Sequence, residues 1–243
     1  MKSILSGLRS IGGGLAEVLA PDYCMLCGGR LSKAEHRICA LCRIKLPATD
    51  FHRIPGNAMQ QRFAGYGTIE NAGAVFYYVR STPLATAIHD FKYNKFPSLA
   101  VEFGREMARR LLTTGFFYGI DLLMPVPIHF TKRMRRGYNQ SERICRGLTE
   151  MSGIPTADNL YARRPHKTQT GRTPEGRRAN TRGVFSVRRP YELLDRHVLI
   201  VDDVCTTGAT LLACAETLHS AVPGIRCSVL TLAATKKKKN TKI

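Results

Sequence analysis

Long apolar runs, acidic residues and common nucleotide-binding signatures are scarce or missing in this chain of 243 residues. No stretch of about 18 or more apolar residues occurs, which argues against a membrane-spanning helix. The G-x-x-x-x-G-K-[ST] signature is absent, so a P-loop nucleotide site is excluded, and no internal repeat is evident. Acidic residues number 18 against 37 lysines and arginines, which gives a formal net charge of +19. What remains is a basic globular chain whose apolar fraction of 44% is ample for a core.

The positive charge is concentrated in two segments. Residues 132–189 hold fifteen lysines and arginines against four acidic residues. The end of the chain, residues 235–243, adds five lysines and is predicted to be a solvated, disordered basic tail. Such concentration indicates an anionic partner, and a phosphorylated sugar and a nucleic acid both qualify.

The first 20 residues have apolar side chains at near-helical spacing, interrupted by Arg9, three consecutive glycines and Glu17. These interruptions disfavour a secretory signal peptide and predict a short amphipathic helix over residues 1–20. The expected location is therefore cytoplasmic, where disulfides are rare.

Four of the eight cysteines form the pattern Cys24-x-x-Cys27 and Cys39-x-x-Cys42. Two such pairs on a short connection bring four thiolates into a tetrahedron, the geometry of a closed structural Zn²⁺ site. Two disulfides are the alternative. The pattern predicts a zinc-binding module over residues 21–60, including a linker. The remaining cysteines lack metal-ligand spacing and are predicted to be buried thiols: Cys145, Cys205, Cys214 and Cys227.

Strand patterns alternate with helix patterns along the rest of the chain. Strands are predicted over residues 72–80, 121–126, 184–187, 197–201 and 226–233, and helices over 84–91, 99–112, 138–150 and 207–220. This alternation predicts an α/β fold with a parallel sheet.

Residues 198–210, Val-Leu-Ile-Val-Asp-Asp-Val-Cys-Thr-Thr-Gly-Ala-Thr, are the most informative stretch. Four apolar residues indicate a strand buried on both faces, and a helix is predicted to begin near Thr207. A helix start attracts anions through its free N–H groups and its dipole. Asp202 and Asp203 suit the vicinal hydroxyls of a ribose, which predicts a ribose 5-phosphate ligand; an ordinary strand, turn and capped helix is the alternative. The predicted phosphate-binding residues are Thr206, Thr207, Gly208, Ala209 and Thr210.

Two basic segments accompany this stretch. Residues 125–140 form a predicted loop in which Arg133, Arg135 and Arg136 could grip a diphosphate. Residues 163–182 carry seven lysines and arginines without an apolar period, a composition that suits a mobile lid over an anion. A solvated basic loop is the alternative for each.

Taken together, the motifs resemble those of the ComF family of predicted amidophosphoribosyltransferase-like proteins, which are linked to DNA uptake and competence. Residues 198–210 match the signature with which type I phosphoribosyltransferases bind phosphoribosyl pyrophosphate (PRPP). The other matching motifs are the four-cysteine pattern, Phe91-Lys92-Tyr93, Pro125-Val126-Pro127, Arg136-Gly137-Tyr138-Asn139-Gln140, Gln169-Thr170-Gly171 and Arg177-x-x-Asn180. Arg172 departs from the family, which usually has an apolar residue there. The resemblance implies a type I phosphoribosyltransferase-like domain over residues 61–234.

The family resemblance implies a transferase that displaces pyrophosphate from PRPP with a nitrogen nucleophile, assisted by Mg²⁺. It implies that Asp202 and Asp203 hold the ribose or the metal-bound water, and that Arg136 and Lys92 face the diphosphate. It also leaves open a non-catalytic protein that binds single-stranded DNA for the uptake machinery and keeps its PRPP site as a sensor.

Overall fold

The computed structural model describes residues 23–93, 96–164 and 183–236. The predicted amphipathic helix, nearly all of the predicted lid and the lysine tail after Lys236 lie outside the described residues. Within the described ranges, every helix lacks either the length or the hydrophobicity that a transmembrane span requires.

A parallel sheet forms the centre of the molecule. The strands are β1 (Ala72–Tyr78), β2 (Leu122–Pro125), β3 (Leu160–Ala162), β4 (Phe185–Val187), β5 (His197–Cys205) and β6 (Arg226–Thr235). Four of them pair in the order β1-β6-β5-β2, all parallel, and β3 pairs with β4 as a separate antiparallel ribbon. The predicted α/β class with a parallel sheet is confirmed.

Helices cover both faces of this sheet. They are α1 (Ala40–Lys45), α2 (Gln60–Phe63), α3 (Pro83–Tyr93), α4 (Pro97–Leu111), α5 (Phe130–Arg136), α6 (Gln140–Ser152) and α7 (Ala209–Ala221). Alternate residues of β5 enter opposite cores: Leu199 packs with α4 and α6, whereas Ile200 packs with α7. Burial on both faces explains the continuous apolar run that the sequence shows at this strand.

Residues 125–140 were predicted to be a loop, and this prediction is wrong because the segment contains α5. The His129 side chain accepts a hydrogen bond from the Thr131 N–H at the start of the helix, and Gly137 ends it in a left-handed conformation with φ of 82°. This segment has no apolar helical periodicity, because α5 is cationic and buries none of its residues. The short strand β3 was also missed.

The cysteine segment is joined to the sheet domain by buried ion pairs. Arg43 in α1 lies 2.7 Å from a carboxylate oxygen of Glu102, which is fully buried in α4. The Arg110 guanidinium donates a hydrogen bond to the carbonyl of Arg43 at 2.9 Å. The apolar core formed by α4, α6 and one face of the sheet also includes Ile38 and Leu46. The boundary predicted at residue 60 stays a prediction, but the side chains on either side of it share one core.

Candidate functional site

A cavity of about 380 Å³ opens at the carboxyl ends of β2 and β5. Ligands of open α/β folds bind at this edge of the sheet, where strand ends and helix starts converge. Six of the residues predicted to bind a ligand line the cavity: Lys92, Arg136, Asp202, Asp203, Thr206 and Thr210.

The acidic pair occupies the floor of this cavity. β5 was predicted to end at residue 201, but its pairing with β6 continues to Cys205 and holds both aspartates on a rigid strand. Asp202 Oδ1 accepts hydrogen bonds from Ser141 Oγ at 3.0 Å and from the Asp203 N–H at 2.8 Å. Lys92 Nζ lies 2.7 Å from Asp203 Oδ1. Both carboxylates are therefore fixed, and one already carries a counter-cation.

Burial and mutual repulsion shape the charges in the cavity. Burial, followed by the charge of Asp203, raises the pKa of Asp202 to about 7. Burial by itself lowers the pKa of Lys92, but the attraction of Asp203 and then Asp202 outweighs it, and the net shift is upward. Burial and the neighbouring Arg136 lower the pKa of Lys132. The site therefore holds Lys92 charged and brings the pKa of Asp202 into the neutral range.

The predicted phosphate loop divides between two surfaces. Thr206 and Thr210 line the main cavity, whereas Thr207, Gly208 and Ala209 line an adjoining pocket of about 50 Å³. Gly208 has φ of 85° and caps α7, which begins at Ala209 rather than near Thr207. A Cβ atom on Gly208 would lie 2.8 Å from the Phe63 ring, so both the backbone conformation and the space require glycine.

Arg62 fixes this loop from the side of the smaller pocket. Its guanidinium donates hydrogen bonds to the carbonyls of Thr206 and Thr235 and, at 3.3 Å, to that of Cys205. Because a trans peptide directs its C=O and N–H in opposite directions, the Thr207 N–H points away from Arg62. Sequence reasoning missed Arg62, since it lies in a mixed segment without a motif and its partners are more than 140 residues away.

Arg136 is the predicted diphosphate-binding arginine that reaches the main cavity. It donates a hydrogen bond to Gln140 Oε1 at 2.9 Å, and its guanidinium carbon lies 5.0 Å from the centre of the Tyr93 ring. Arg133 instead pairs with Glu142 at 3.1 Å, and neither Arg133 nor Arg135 lines the cavity. The predicted three-arginine grip is therefore wrong. Arg135 points away from Arg136 because consecutive residues of a helix are about 100° apart, and Arg133 is held by Glu142.

The motif that follows Arg136 assembles the wall of the cavity. The Tyr138 hydroxyl donates a hydrogen bond to the carbonyl of Phe91 in α3. The Asn139 side chain donates to the carbonyl of Val126 at 3.0 Å and accepts from the N–H of Ser141 at 3.0 Å. Asn139 thus caps α6 and holds its first turn against the end of β2, which positions Ser141 beside Asp202.

A second cluster, remote in sequence from the acidic pair, contains the four predicted zinc ligands. The sulfur atoms of Cys24, Cys27, Cys39 and Cys42 all lie within 4.8 Å of one another. Backbone N–H groups of Gly29, Cys39 and Cys42 donate to sulfur atoms of the cluster at 3.4 Å each. Such donors stabilise thiolates, and four convergent sulfurs suit a tetrahedral structural Zn²⁺ ion without an open position for catalysis.

We expect the purified protein to contain about one zinc ion per chain, and Cys39→Ser to lose it and to melt at a lower temperature. Elemental analysis and thermal melting measure both effects. Cys214→Ala is the matched control, because Cys214 is buried in the other core and should leave the zinc content unchanged. Full zinc content in the Cys39 variant would contradict the assignment.

The remaining cysteines are buried, as predicted. Cys205 adjoins the phosphate loop, and burial raises its pKa to about 11. Its thiol is consequently protonated near neutral pH, which makes it a poor nucleophile.

Comparisons with known proteins agree with the motifs. The pattern of the phosphoribosyl transferase domain matches residues 97–243. DNA utilization protein YhgH of Escherichia coli K12 is 27% identical over 214 residues, which is 82% of this chain and 91% of the relative. Competence protein F of Haemophilus influenzae is 28% identical over 205 residues, which is 77% of this chain and 86% of the relative. These relatives confirm the predicted resemblance to the ComF family.

Among solved structures, a glutamine PRPP amidotransferase from B. subtilis gives a TM-score of 0.39 at 16% identity. The match covers 58% of this chain and 30% of that one. A hypoxanthine phosphoribosyl transferase from Trypanosoma cruzi gives a TM-score of 0.34 at 14% identity, over 63% of this chain and 70% of that one.

Proposed function

This chain belongs to the phosphoribosyl transferase domain family, and we propose that it binds PRPP in the cavity above β5. One observation carries the proposal: the buried Asp203, the half-buried Asp202, two threonine hydroxyls and the cations of Lys92, Lys132 and Arg136 surround one cavity. A sugar that bears both vicinal hydroxyls and phosphates matches this set of groups.

Each part of PRPP has a complementary group. The ribose hydroxyls donate to the carboxylates of Asp202 and Asp203. The 5-phosphate lies at the start of α7, where free N–H groups and the hydroxyls of Thr206 and Thr210 receive it. The diphosphate faces Lys92, Lys132 and Arg136, and partial exclusion of water strengthens the attraction between these cations and the diphosphate.

Magnesium fits the donor set of this site. Mg²⁺ prefers oxygen ligands and uses few protein groups, and the floor of the cavity supplies the carboxylates of Asp202 and Asp203. When bound, the ion would neutralise part of the diphosphate charge. The residues that would hold it, directly or through water, are these two aspartates.

The further step is transfer. In this reaction a nitrogen lone pair forms a bond to C1 of the ribose while the C1–O bond breaks. The bonding electrons leave with pyrophosphate, and the nitrogen releases a proton. The contribution of this chain is to stabilise the leaving diphosphate with fixed cations. The cysteine cluster supports a reducing, cytoplasmic location for this activity.

Binding is tested by thermal melting with PRPP and Mg²⁺, and with ribose 5-phosphate or pyrophosphate alone. We expect PRPP to raise the melting temperature by more than either fragment, because it alone engages both ends of the cavity. No shift with PRPP would overturn the proposal. Release of pyrophosphate, assayed across a panel of bases and amines, then tests transfer.

A DNA-binding role is the second candidate, and the surface of α5 favours it. Phe130 is 66% exposed and Met134 69% exposed on this helix, which also carries the exposed Arg133 and Arg135. Exposed aromatic and cationic side chains together bind single-stranded nucleic acid by stacking and by phosphate contacts. The names of the relatives, which refer to competence and DNA utilization, support the same role.

A further inference from the structure

Lys92 blocks the carboxylate that a ligand of this cavity has to engage. It lies in the last turn of α3, and its side chain is 21% exposed against 10% for that of Asp203. The distance of 2.7 Å between Nζ and Oδ1 is that of a charge-assisted hydrogen bond. Since both groups lie in the lining of the cavity, the pair forms part of the binding surface itself.

Lys92 is the counter-cation of Asp203, because the neighbouring Arg136 has different partners. Among the described residues, Lys92 is the cationic side chain within 4 Å of either aspartate. Arg136 is engaged with Gln140 and with the ring of Tyr93. Within the described ranges, the hydrogen bonds to Asp202 come from neutral donors, Ser141 Oγ and the Asp203 N–H.

An ammonium group and a divalent cation compete for the same carboxylate oxygen. Both are compact positive charges, and two of them near one buried oxygen repel each other strongly. A bare divalent ion therefore has to displace Lys92 and leave its ammonium buried without a partner, which is costly. An anionic diphosphate removes this cost, because it offers Lys92 a new partner when the metal arrives.

We propose that Lys92 is a tethered counter-cation that excludes free divalent metal from Asp202 and Asp203 and releases them only to a metal bound to an anionic ligand. The second half of this proposal rests on the proposed PRPP site, but the first half does not. Lys92 is thus a positioning residue that sets the order of binding, in addition to its predicted contact with the diphosphate.

The test titrates zinc-loaded protein with Mn²⁺ in the absence of PRPP and follows free Mn²⁺ by electron paramagnetic resonance. We expect Lys92→Met to bind Mn²⁺ at least about tenfold more tightly than the native protein, because one unit of competing charge is removed. Lys92→Arg keeps the charge and should bind as weakly as the native protein. Adding Asp203→Asn to Lys92→Met should abolish the gain and so locate the metal at the acidic pair.

Lys92→Gln is the second neutral variant, to be used if Lys92→Met does not fold. Its amide removes the charge but keeps an N–H donor for Asp203. Equal Mn²⁺ affinity in the native protein and in the folded neutral variant would overturn the proposal. The titration contains no PRPP, so a protein that fails to bind PRPP can still support or overturn the exclusion of free metal.

Discussion

The double substitution Asp202→Asn with Asp203→Asn should abolish the rise in melting temperature that PRPP and Mg²⁺ produce. A ligand present at a hundred times its dissociation constant stabilises a protein by about 2.7 kcal/mol. For a chain of this length, that corresponds to a shift of roughly 5–10 °C. Asparagine preserves shape but removes both negative charges, so the variant cannot hold a metal, and its ribose contacts weaken. Differential scanning fluorimetry measures the loss.

The exposed carboxylate of Asp158 provides the matched control. It pairs with Arg188 at 2.7 Å, its side chain is 66% exposed and it does not line the cavity, so Asp158→Asn should keep the full PRPP shift. The double variant should also bind single-stranded DNA as the native protein does, since its substitutions lie away from the exposed face of α5. If the double variant kept the rise in melting temperature with PRPP, the acidic pair would not be part of the binding site.

The local part of this site could be predicted from sequence, because it lies on one continuous segment. The apolar run of β5, the two aspartates and the threonine loop follow one another within thirteen residues, and strand order then fixes their edge of the sheet. The four-cysteine cluster could also be predicted from sequence, because the spacing of metal ligands is itself a local pattern.

The contacts that complete the site could not be predicted in this way. Lys92 and Asp203 are far apart in the chain, as are Arg62 and Thr206, and neither pairing has a periodic signature. The helix α5 could not be predicted either, because it buries none of its residues and so lacks an apolar stripe that faces the core. These contacts depend on how α2, α3 and α5 pack around the end of β5, which hydrophobic patterns do not specify.

We expect a methyl group added at the close contact between α4 and α6 to destabilise the protein more than one added elsewhere. A Cβ atom on Gly147 would lie 2.0 Å from the carbonyl oxygen of Val101, and one on Gly104 would lie 2.1 Å from that of Ile144. Both obstacles are backbone atoms in the centres of helices, so neither can rotate away. The two helices therefore have to separate or shift before Ala is accommodated.

Gly147→Ala should consequently lower the free energy of unfolding by about 3 kcal/mol or more, as overpacked cores do. The sign of this change distinguishes a close helix contact from an open one, since replacing glycine by alanine in an unconstrained helix interior would instead stabilise the protein by about 1 kcal/mol. Urea denaturation measures the change, and Gly67→Ala is the control, because a Cβ atom there meets no atom within 4 Å. The same α6 carries Ser141 to Asp202, so displacement of this helix should also weaken PRPP binding. A Gly147 variant as stable as the native protein would show that the helices lie farther apart than described.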